Sequence, residues 1–175
     1  MAEIRLESFP PLVDRNSRLL ILGSMPGGRS LAMGQYYAHP QNSFWPIMGQ
    51  VFDFDPCLSY PQRVSALLAS GVALWDVMQF CSRSSSLDAD IVETSIVAND
   101  IASFLTANGR IERLYFNGSR AEQAFKKYVL PTLTGTTQML PTVRLPSTSP
   151  VHASLSVSEK LAIWRQIAES SVRTV

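Results

Sequence analysis

Four short apolar runs, separated by stretches with helical spacing, constrain the fold of this chain more than any other feature. The runs are Leu19–Gly23, Val72–Val77, Arg113–Phe116 and Thr142–Leu145. Strands that are apolar along their length are buried on both faces, as in parallel sheets with helices on either side. The pattern predicts a single α/β domain over residues 1–175, a three-layer α/β/α sandwich with a four-stranded, mostly parallel central sheet.

Helical patterns lie between and after these runs. Pro61–Ala69 has apolar residues on one face and a glycine stop signal beyond it. We expect Asn99 to cap a helix over Asp100–Ala107. Ser119–Glu122 and Ser156–Glu159 have the sequence of capping boxes, in which a serine and a glutamate three residues later satisfy free N–H groups. Each predicts the start of a helix.

Composition limits the class of protein. The chain has 175 residues, 46% of them hydrophobic, which is enough for one full core. No apolar run approaches the roughly 18 residues of a membrane span. The N-terminus lacks the pattern of a signal peptide, so we expect a cytoplasmic protein.

The sequence offers little to bind a metal or a cofactor. Cys57 and Cys81 are too few for a disulfide framework or a cysteine-ligated cluster. His39 and His152 have no supporting cluster of cysteines or carboxylates, so they do not predict a zinc site. We expect neither metal nor cofactor, and we interpret His39 as a buried organiser of its loop.

Charge is distributed unevenly along the chain. The net charge of +1 does not favour a general nucleic-acid binder. All 14 acidic residues, however, avoid two windows, Asn16–Phe52 and Gln123–Ser158. A surface built from segments without carboxylates does not repel phosphates. The alternative is that apolar strands and Ser/Thr/Pro loops simply exclude charge.

Polar segments follow all four predicted strands. In a parallel α/β sheet the site lies beyond the carboxyl ends of the strands. The segments that should converge there are Ser24–Trp45, Asp76–Arg83, Asn117–Ser119 and Ser147–Ala153. The fold class therefore predicts one common site built from these segments.

Two of the segments resemble the signature motifs of a known family. Gly23-Ser-Met-Pro-Gly27, followed by Tyr37-Ala-His-Pro-Gln-Asn-Ser-Phe-Trp45, is similar to the first motif of the uracil-DNA glycosylase superfamily. Ser147-Thr-Ser-Pro-Val-His-Ala153 is similar to the second. The chain most resembles the hypoxanthine-DNA glycosylase branch, and next the mismatch-specific uracil glycosylases.

The resemblance implies a uracil-DNA glycosylase-like fold and a base excision repair enzyme. Such an enzyme hydrolyses the N-glycosidic bond of a flipped, deaminated base, here hypoxanthine above others. We expect a monofunctional glycosylase without lyase activity, because neither motif contains a lysine for a Schiff base. The expected partner is DNA with a damaged base, bound by a monomer.

The first motif departs from the family pattern at its usual catalytic position. Many members carry aspartate or asparagine two residues after the motif glycine; here Met25 occupies that position and cannot polarise water. The resemblance to the hypoxanthine branch indicates Asn42 instead. Its carboxamide would orient a water and support positive charge on the sugar. Alternatively, Asn42 only caps a helix over Ser43–Val51.

The resemblance also implies the residues that hold the base. Gly23, Ser24 and Met25 would line the site. Tyr37 is the predicted stacking ring, because the mismatch-specific enzymes place an aromatic residue in the similar sequence aromatic-Ala-His-Pro. Tyr36 is its competitor, and packing of Tyr37 at the rim is the structural alternative.

Three further positions lie after the second and third strands. Asp76 resembles in position the asparagine that reads the base edge in uracil-DNA glycosylases, or else it forms a salt bridge or loop cap. Asn117 binds the base or sugar, or only satisfies a turn. Ser119, at a helix start, is a candidate phosphate contact. The run Cys81–Leu87 predicts a flexible loop that contacts phosphate or is merely solvated.

The second motif would grip the DNA. Ser147 stands where uracil-DNA glycosylases have a catalytic histidine, so that role is not inherited. Ser149 would contact phosphate, Pro150 would stiffen the loop, and Val151 or His152 would fill the space left in the duplex. The alternative is a rigid surface loop.

Two other functions stay open on the sequence. One is a glycosylase of uracil or mixed specificity. The other is a catalytically silent module that binds damaged DNA, which the missing acidic residue at Met25 suggests. A non-nucleic-acid α/β hydrolase is disfavoured, because the chain has no G-x-S-x-G motif.

Overall fold

The computed structural model describes residues 5–172 of the chain. The strands in this part are β1 (Arg5–Glu7), β2 (Leu19–Gly23), β3 (Val72–Asp76), β4 (Met78–Ser82), β5 (Val97–Ala98), β6 (Arg113–Asn117) and β7 (Thr142–Leu145). The α-helices are α1 (Gly28–Met33), α2 (Phe44–Phe52), α3 (Tyr60–Ala69), α4 (Ile101–Ala107), α5 (Ser119–Ala124), α6 (Gly135–Gln138), α7 (Val157–Trp164) and α8 (Gln166–Val172). No helix among these residues is long and apolar enough to cross a membrane.

The central sheet has four parallel strands in the order β3-β2-β6-β7, as predicted. Alternate residues of β2 face opposite sides: Leu20 and Leu22 enter one buried cluster, Leu19 and Ile21 the other. Helices α4 and α5 contribute to the first cluster, and α2, α3, α7 and α8 to the second. The three-layer α/β/α prediction is therefore confirmed.

A second, antiparallel sheet with the order β1-β4-β5 was not predicted. Strand β4 begins two residues after β3 ends, and Val77 between them is fully buried. β1 and β5 are three and two residues long, too short to show an alternating pattern. The predicted site segment 76–83 is therefore mostly a strand rather than a loop.

Two predicted helix caps are wrong, although both helices begin within a residue of the predicted position. Helix α4 is capped by Asp100, whose carboxylate accepts from the Ser103 N–H at 3.0 Å. Asn99 instead donates from Nδ2 to the Asp76 carbonyl at 2.8 Å. Ser119 is the first residue of α5 rather than its cap, because Gly118 takes the cap position with φ 95°. Glu122 pairs with Lys126 and Arg144 instead.

The other helix predictions hold. Helix α3 covers the predicted Pro61–Ala69 and begins one residue earlier, behind a capping box of Ser59 and Gln62. Ser156 and Glu159 form the predicted capping box: the Ser156 Oγ accepts from the Glu159 N–H at 3.3 Å. Local side-chain bonds set the starts of both helices.

Candidate active site

A cavity of about 510 Å³ opens at the carboxyl ends of the parallel strands. The register pairs Gly23 with Asp76, so the ends of β2 and β3 lie side by side, and β6 follows on the other side of β2. All predicted site residues line the cavity: Gly23, Ser24, Met25, Tyr37, Asn42, Asp76, Asn117, Ser119, Ser147, Ser149, Pro150, Val151 and His152. The predicted convergence is present, while the role of each residue stays a prediction.

Thr148 joins the first-motif loop (residues 24–43) to the second-motif loop (residues 146–153). Its carbonyl accepts from the N–H and the Oγ of Ser43, at 3.0 and 3.2 Å. Its N–H and Oγ1 bond with the Asn117 carboxamide, both at 2.9 Å. Thr148 is almost fully buried. Sequence reasoning missed it as a separate residue, although it sits in the middle of the second motif.

Asn117 is thus engaged mainly in structure. Its oxygen accepts from Thr148 and its nitrogen donates to the same residue. Gly118 lets the chain turn here with φ 95°, and an added Cβ would lie 2.9 Å from the Cβ of Ser147. Asn117 therefore has a structural role, but not the predicted one of satisfying a turn. It ties the end of β6 to the second-motif loop.

Asn42 stabilises a helix start, as its structural alternative predicted, and it also lines the cavity. Its Oδ1 accepts from the Phe44 N–H at 3.0 Å and so stabilises the start of α2, although Ser43 occupies the formal cap position. The side chain is half-buried and lines the cavity. No described residue accepts from its Nδ2. A carboxamide oriented by its oxygen and open on its nitrogen side can still contact a water or a sugar.

Tyr37 presents an aromatic wall. Its ring stacks on Phe44 at 4.0 Å with an interplanar angle of 22°. Its backbone is left-handed, with φ 54°. The hydroxyl is buried without a hydrogen bond among the described residues, and burial followed by the Asp76 charge raises the pKa of the phenol. Tyr36 is 3% exposed and donates its hydroxyl to the Pro10 carbonyl at 3.0 Å, so it belongs to the core.

Asp76 is a buried carboxyl at the cavity floor. It is 3% exposed, and no described residue bonds to its Oδ2. Gly23 is required beside it, because a Cβ there would lie 2.4 Å from Asp76 Oδ1. Burial, with a smaller contribution from Asp88, raises the pKa of Asp76 to about 8, while Arg83 opposes the shift. At neutral pH the carboxyl is therefore mostly protonated, and it can donate as well as accept a hydrogen bond.

Residues 86–89 form a wall of the cavity, and none of them was among the predicted site residues. Ser24 donates its hydroxyl to Asp88 Oδ2 at 2.7 Å, and the Gly28 N–H donates to Ser86 Oγ at 3.1 Å. Arg83 is buried and donates to the Pro26 carbonyl. This wall binds the first-motif loop and carries no motif. Its signals in the sequence were the position after the second strand and the polar run Cys81–Leu87, which predicted a phosphate-contacting or solvated loop.

The second-motif loop rests on a buried lysine. Lys160 of α7 donates from Nζ to the carbonyls of Ser149 and His152, at 3.3 and 2.7 Å. The lysine is 4% exposed, and burial lowers the pKa of its ammonium. Above it, Val151 is 67% exposed at the rim. The loop is thus held from below and presents an apolar tip to solvent.

The charge pattern around the cavity is less simple than the sequence windows predicted. Arg18, Lys126, Lys127 and Arg144 all pair with glutamates, whereas Arg29 lines the cavity. Asp76 and Asp88 bring carboxyl groups into the cavity from outside the windows. His39 also lines it but is exposed, so the expectation of a buried histidine is wrong; its Nδ1 accepts from the Gln41 N–H at 3.2 Å.

The fold and the site together define an α/β protein with a ligand-binding slot. An aromatic wall, a carboxyl floor and a carboxamide surround a slot at the ends of parallel strands, where α/β proteins bind ligands. Such a slot suits a flat, polar ring, such as a nucleobase taken out of its stack.

Comparison with known proteins names the family. The model of the uracil DNA glycosylase superfamily matches residues 10–168. A hypoxanthine DNA glycosylase from Methanosarcina barkeri is 34% identical over 67% of this chain and 74% of that protein. One from Methanosarcina acetivorans is 30% identical over 73% of this chain and 85% of that protein. The chain belongs to the uracil DNA glycosylase superfamily.

A solved structure shares the fold. The solution NMR structure of a candidate uracil DNA glycosylase from Methanosarcina acetivorans has a TM-score of 0.75 and 29% identity. The match covers 94% of this chain and 99% of the other. The resemblance drawn from the two motifs, including that to the hypoxanthine branch, is confirmed.

Proposed function

We propose that this protein is a monofunctional DNA glycosylase that removes hypoxanthine from DNA by hydrolysis. The observation that carries the proposal is the closure of both motif loops on one cavity through Thr148. The names of its curated relatives support the choice of base. We also propose that it acts as a monomer.

Binding of the base follows from the cavity walls. Flipping a nucleotide costs a few kcal/mol of pairing and stacking. Tyr37 returns about 1–3 kcal/mol by stacking, because Phe44 holds its ring from behind. The Asp76 carboxyl reads a polar edge of the base, and Gly23 leaves room for it to do so. These contacts favour a flat base that offers hydrogen-bonding atoms at the floor.

Hydrolysis needs support for the sugar and a positioned water. As the glycosidic bond lengthens, positive charge develops on the sugar and negative charge on the base. Asn42 Oδ1 accepts from the Phe44 N–H and keeps a second lone pair, which can orient the water or face the positively charged sugar. A carboxamide is a weak base, so bond dissociation precedes most of the attack by water.

The second-motif loop grips the duplex. Ser149 and Pro150 lie against the phosphate backbone, and the exposed Val151 fills the gap left by the flipped base. Lys160 does not serve as a Schiff-base amine in this proposal, because its Nζ is bonded under the loop. No lysine lines the cavity within residues 5–172. Both points support hydrolysis without a lyase step.

Single-turnover excision from duplex oligonucleotides bearing hypoxanthine, uracil or xanthine tests the proposal. We expect hypoxanthine to be released fastest. Asn42→Ala should slow release by about 100-fold or more, within the range for a positioned catalytic group. Loss of the helix-start bond should cost only about 1 kcal/mol of stability. Asn16→Ala, in an exposed turn away from the cavity, is the matched control.

Three results would contradict the proposal. A wild-type rate in Asn42→Ala would remove Asn42 from the chemistry. Tight binding of hypoxanthine-containing duplex without any free base would favour a silent binding module instead. Fastest release of uracil would assign the enzyme to the uracil-specific or mixed-specificity alternative.

A further inference from the structure

We propose that Asp76 is the general acid of this site, giving its carboxyl proton to a ring nitrogen of the departing purine. The inference rests on the proposed function and goes beyond it: Asp76 does more than read the base, because it also changes the charge of the leaving group. A purine leaves more readily as a neutral molecule than as an anion. General acid catalysis of this kind typically contributes about 10²–10⁴-fold.

The geometry at the floor supports a proton donor. Asp76 ends β3 and lines the cavity with only 3% of its surface exposed. Its Oδ2 is buried and has no partner among the described residues. Buried polar atoms are rarely left unbonded in folded proteins, and each exception needs an explanation. The other oxygen, Oδ1, also has no bond to a described residue and is the one that a ligand can reach. A ring nitrogen of a bound base would supply a partner for the carboxyl there.

The backbone around Asp76 holds the carboxyl in place. Asn99 donates to the Asp76 carbonyl at 2.8 Å, and this bond ties the end of β3 to the start of α4. On the other side, Gly23 must lack a side chain, since a Cβ would lie 2.4 Å from Asp76 Oδ1. The carboxyl therefore occupies space that a glycine leaves open. A reader of the base edge and a proton donor both need such fixed placement.

Burial, more than the surrounding charges, keeps the proton on Asp76 at neutral pH. Burial comes first, and the Asp88 carboxylate adds to it; Arg83 is the opposing cation. Tyr36, Tyr37 and Tyr60 also face the Asp76 charge, and burial raises the pKa of each above its usual range, so they stay neutral. A general acid works best when its pKa is close to the pH at which the enzyme operates. The pKa of Asp76, about 8, is close to neutral pH. The remaining titratable groups of the cavity wall are Arg29, His39, Arg120 and His152.

The reaction balances with water as the only co-reactant. The bond between C1′ and N9 breaks, and its electron pair goes to the purine. The Asp76 proton moves to N7 or N3, and the carboxyl becomes a carboxylate. The water oxygen bonds to C1′, and the proton that this water loses passes through solvent to restore Asp76. The products are an abasic site and a neutral free base.

The pH profile of Asp76→Asn is the first test. Asparagine keeps the size and hydrogen bonds of the side chain but has no proton to transfer. We expect single-turnover release of hypoxanthine to fall by about 100-fold or more at pH 7. The ratio of wild-type to variant rates should decline above about pH 8, because only protonated Asp76 is active. Any titration of the substrate cancels in this ratio.

The second test changes the leaving group. In 7-deaza- and 3-deazahypoxanthine, one ring nitrogen is replaced by C–H and cannot accept the proton. If Asp76 is the acid, the ratio of wild type to Asp76→Asn falls towards one on one of these analogues, which identifies the accepting atom. A ratio that stays the same on hypoxanthine and on both analogues overturns the proposal, since a structural or reading role would persist on at least one of them.

Two controls separate loss of chemistry from loss of fold. Asp76→Asn should melt at a higher temperature than wild type at pH 8, with a smaller gap at pH 5. The raised pKa means that folding opposes ionisation, so the wild-type carboxyl costs stability as the pH rises towards 8. Asp88→Asn removes the neighbouring negative charge, and should move the alkaline limb of the wild-type profile to lower pH.

The outcomes also distinguish the two proposals. If wild-type protein releases no hypoxanthine, the proposed function itself fails. If it releases hypoxanthine but Asp76→Asn matches it in rate and in pH profile, only the general acid is disproved.

Discussion

The two loops that form the cavity are held by different forces. The first-motif loop leads into buried rings: Phe44 is fully buried and packs against Tyr37, Trp45 and Trp164. The second-motif loop is held by hydrogen bonds, to Ser43 and Asn117 through Thr148 and to Lys160 through two carbonyls.

This difference indicates that the first-motif side of the site is rigid and that the second-motif side can adjust. Hydrogen bonds to Ser86 and Asp88 also hold the start of the first-motif loop. Aromatic burial couples its other end, beside Phe44, to the core, so we expect that end to open only when the protein unfolds. A loop fastened by a few hydrogen bonds can open locally at lower cost. A glycosylase needs a fixed wall for the base and a grip that adjusts to DNA. The comparison therefore predicts that changes in the first region lower global stability, while changes in the second weaken DNA processing.

Phe44→Ala should have the largest effect. It removes a fully buried ring that also supports Tyr37 from behind. We expect the free energy of unfolding to fall by about 3–5 kcal/mol, as measured by chemical denaturation. Phe52→Ala, a half-buried ring on the same helix, should cost clearly less. If Phe44→Ala lowers the free energy of unfolding no more than Phe52→Ala does, aromatic burial does not hold the first-motif loop.

Lys160→Met should come next and act locally. Methionine keeps most of the buried volume but cannot donate to the Ser149 and His152 carbonyls. We expect a loss of at most about 2 kcal/mol in unfolding free energy. Single-turnover excision should still slow by about 10-fold, a barrier increase of about 1.4 kcal/mol.

The control for Lys160 is Lys126→Met, which removes an exposed lysine paired with Glu122 at i,i+4. Its effects on excision and stability should both be small. If Lys160→Met destabilises the protein as strongly as Phe44→Ala, the two loops are not held differently. If it leaves excision unchanged, the second-motif loop does not depend on the lysine for its shape.

Val151→Ala should have the smallest effect on stability. The side chain is 67% exposed, so the unfolding free energy should change by less than about 0.5 kcal/mol. Excision of hypoxanthine from duplex should nevertheless slow several-fold, because a shorter side chain fills the gap in the duplex less well. Val157→Ala, at an exposed helix start, is the matched control. Equal excision rates in the two variants would argue against a wedge at Val151.

Much of the fold was predictable because it follows from local pattern. The apolar runs placed all four parallel strands within a residue of their bounds, and Ser156–Glu159 placed the start of α7. The antiparallel sheet was not predictable, because β1 and β5 are too short to carry a pattern. The cap at Asn99 failed because the Asp76 carbonyl, distant in sequence, claims its side chain.

The site divides in the same way. The parallel arrangement of the strands was enough to predict that the segments containing Tyr37, Asp76, Asn117 and the second motif meet at one edge of the sheet. Only the tertiary structure decided that Thr148 joins the loops, that Asp88 binds Ser24, and that the Asp76 carboxyl keeps its proton. Burial and through-space charge set these properties, and both depend on neighbours that fold into place from distant parts of the chain.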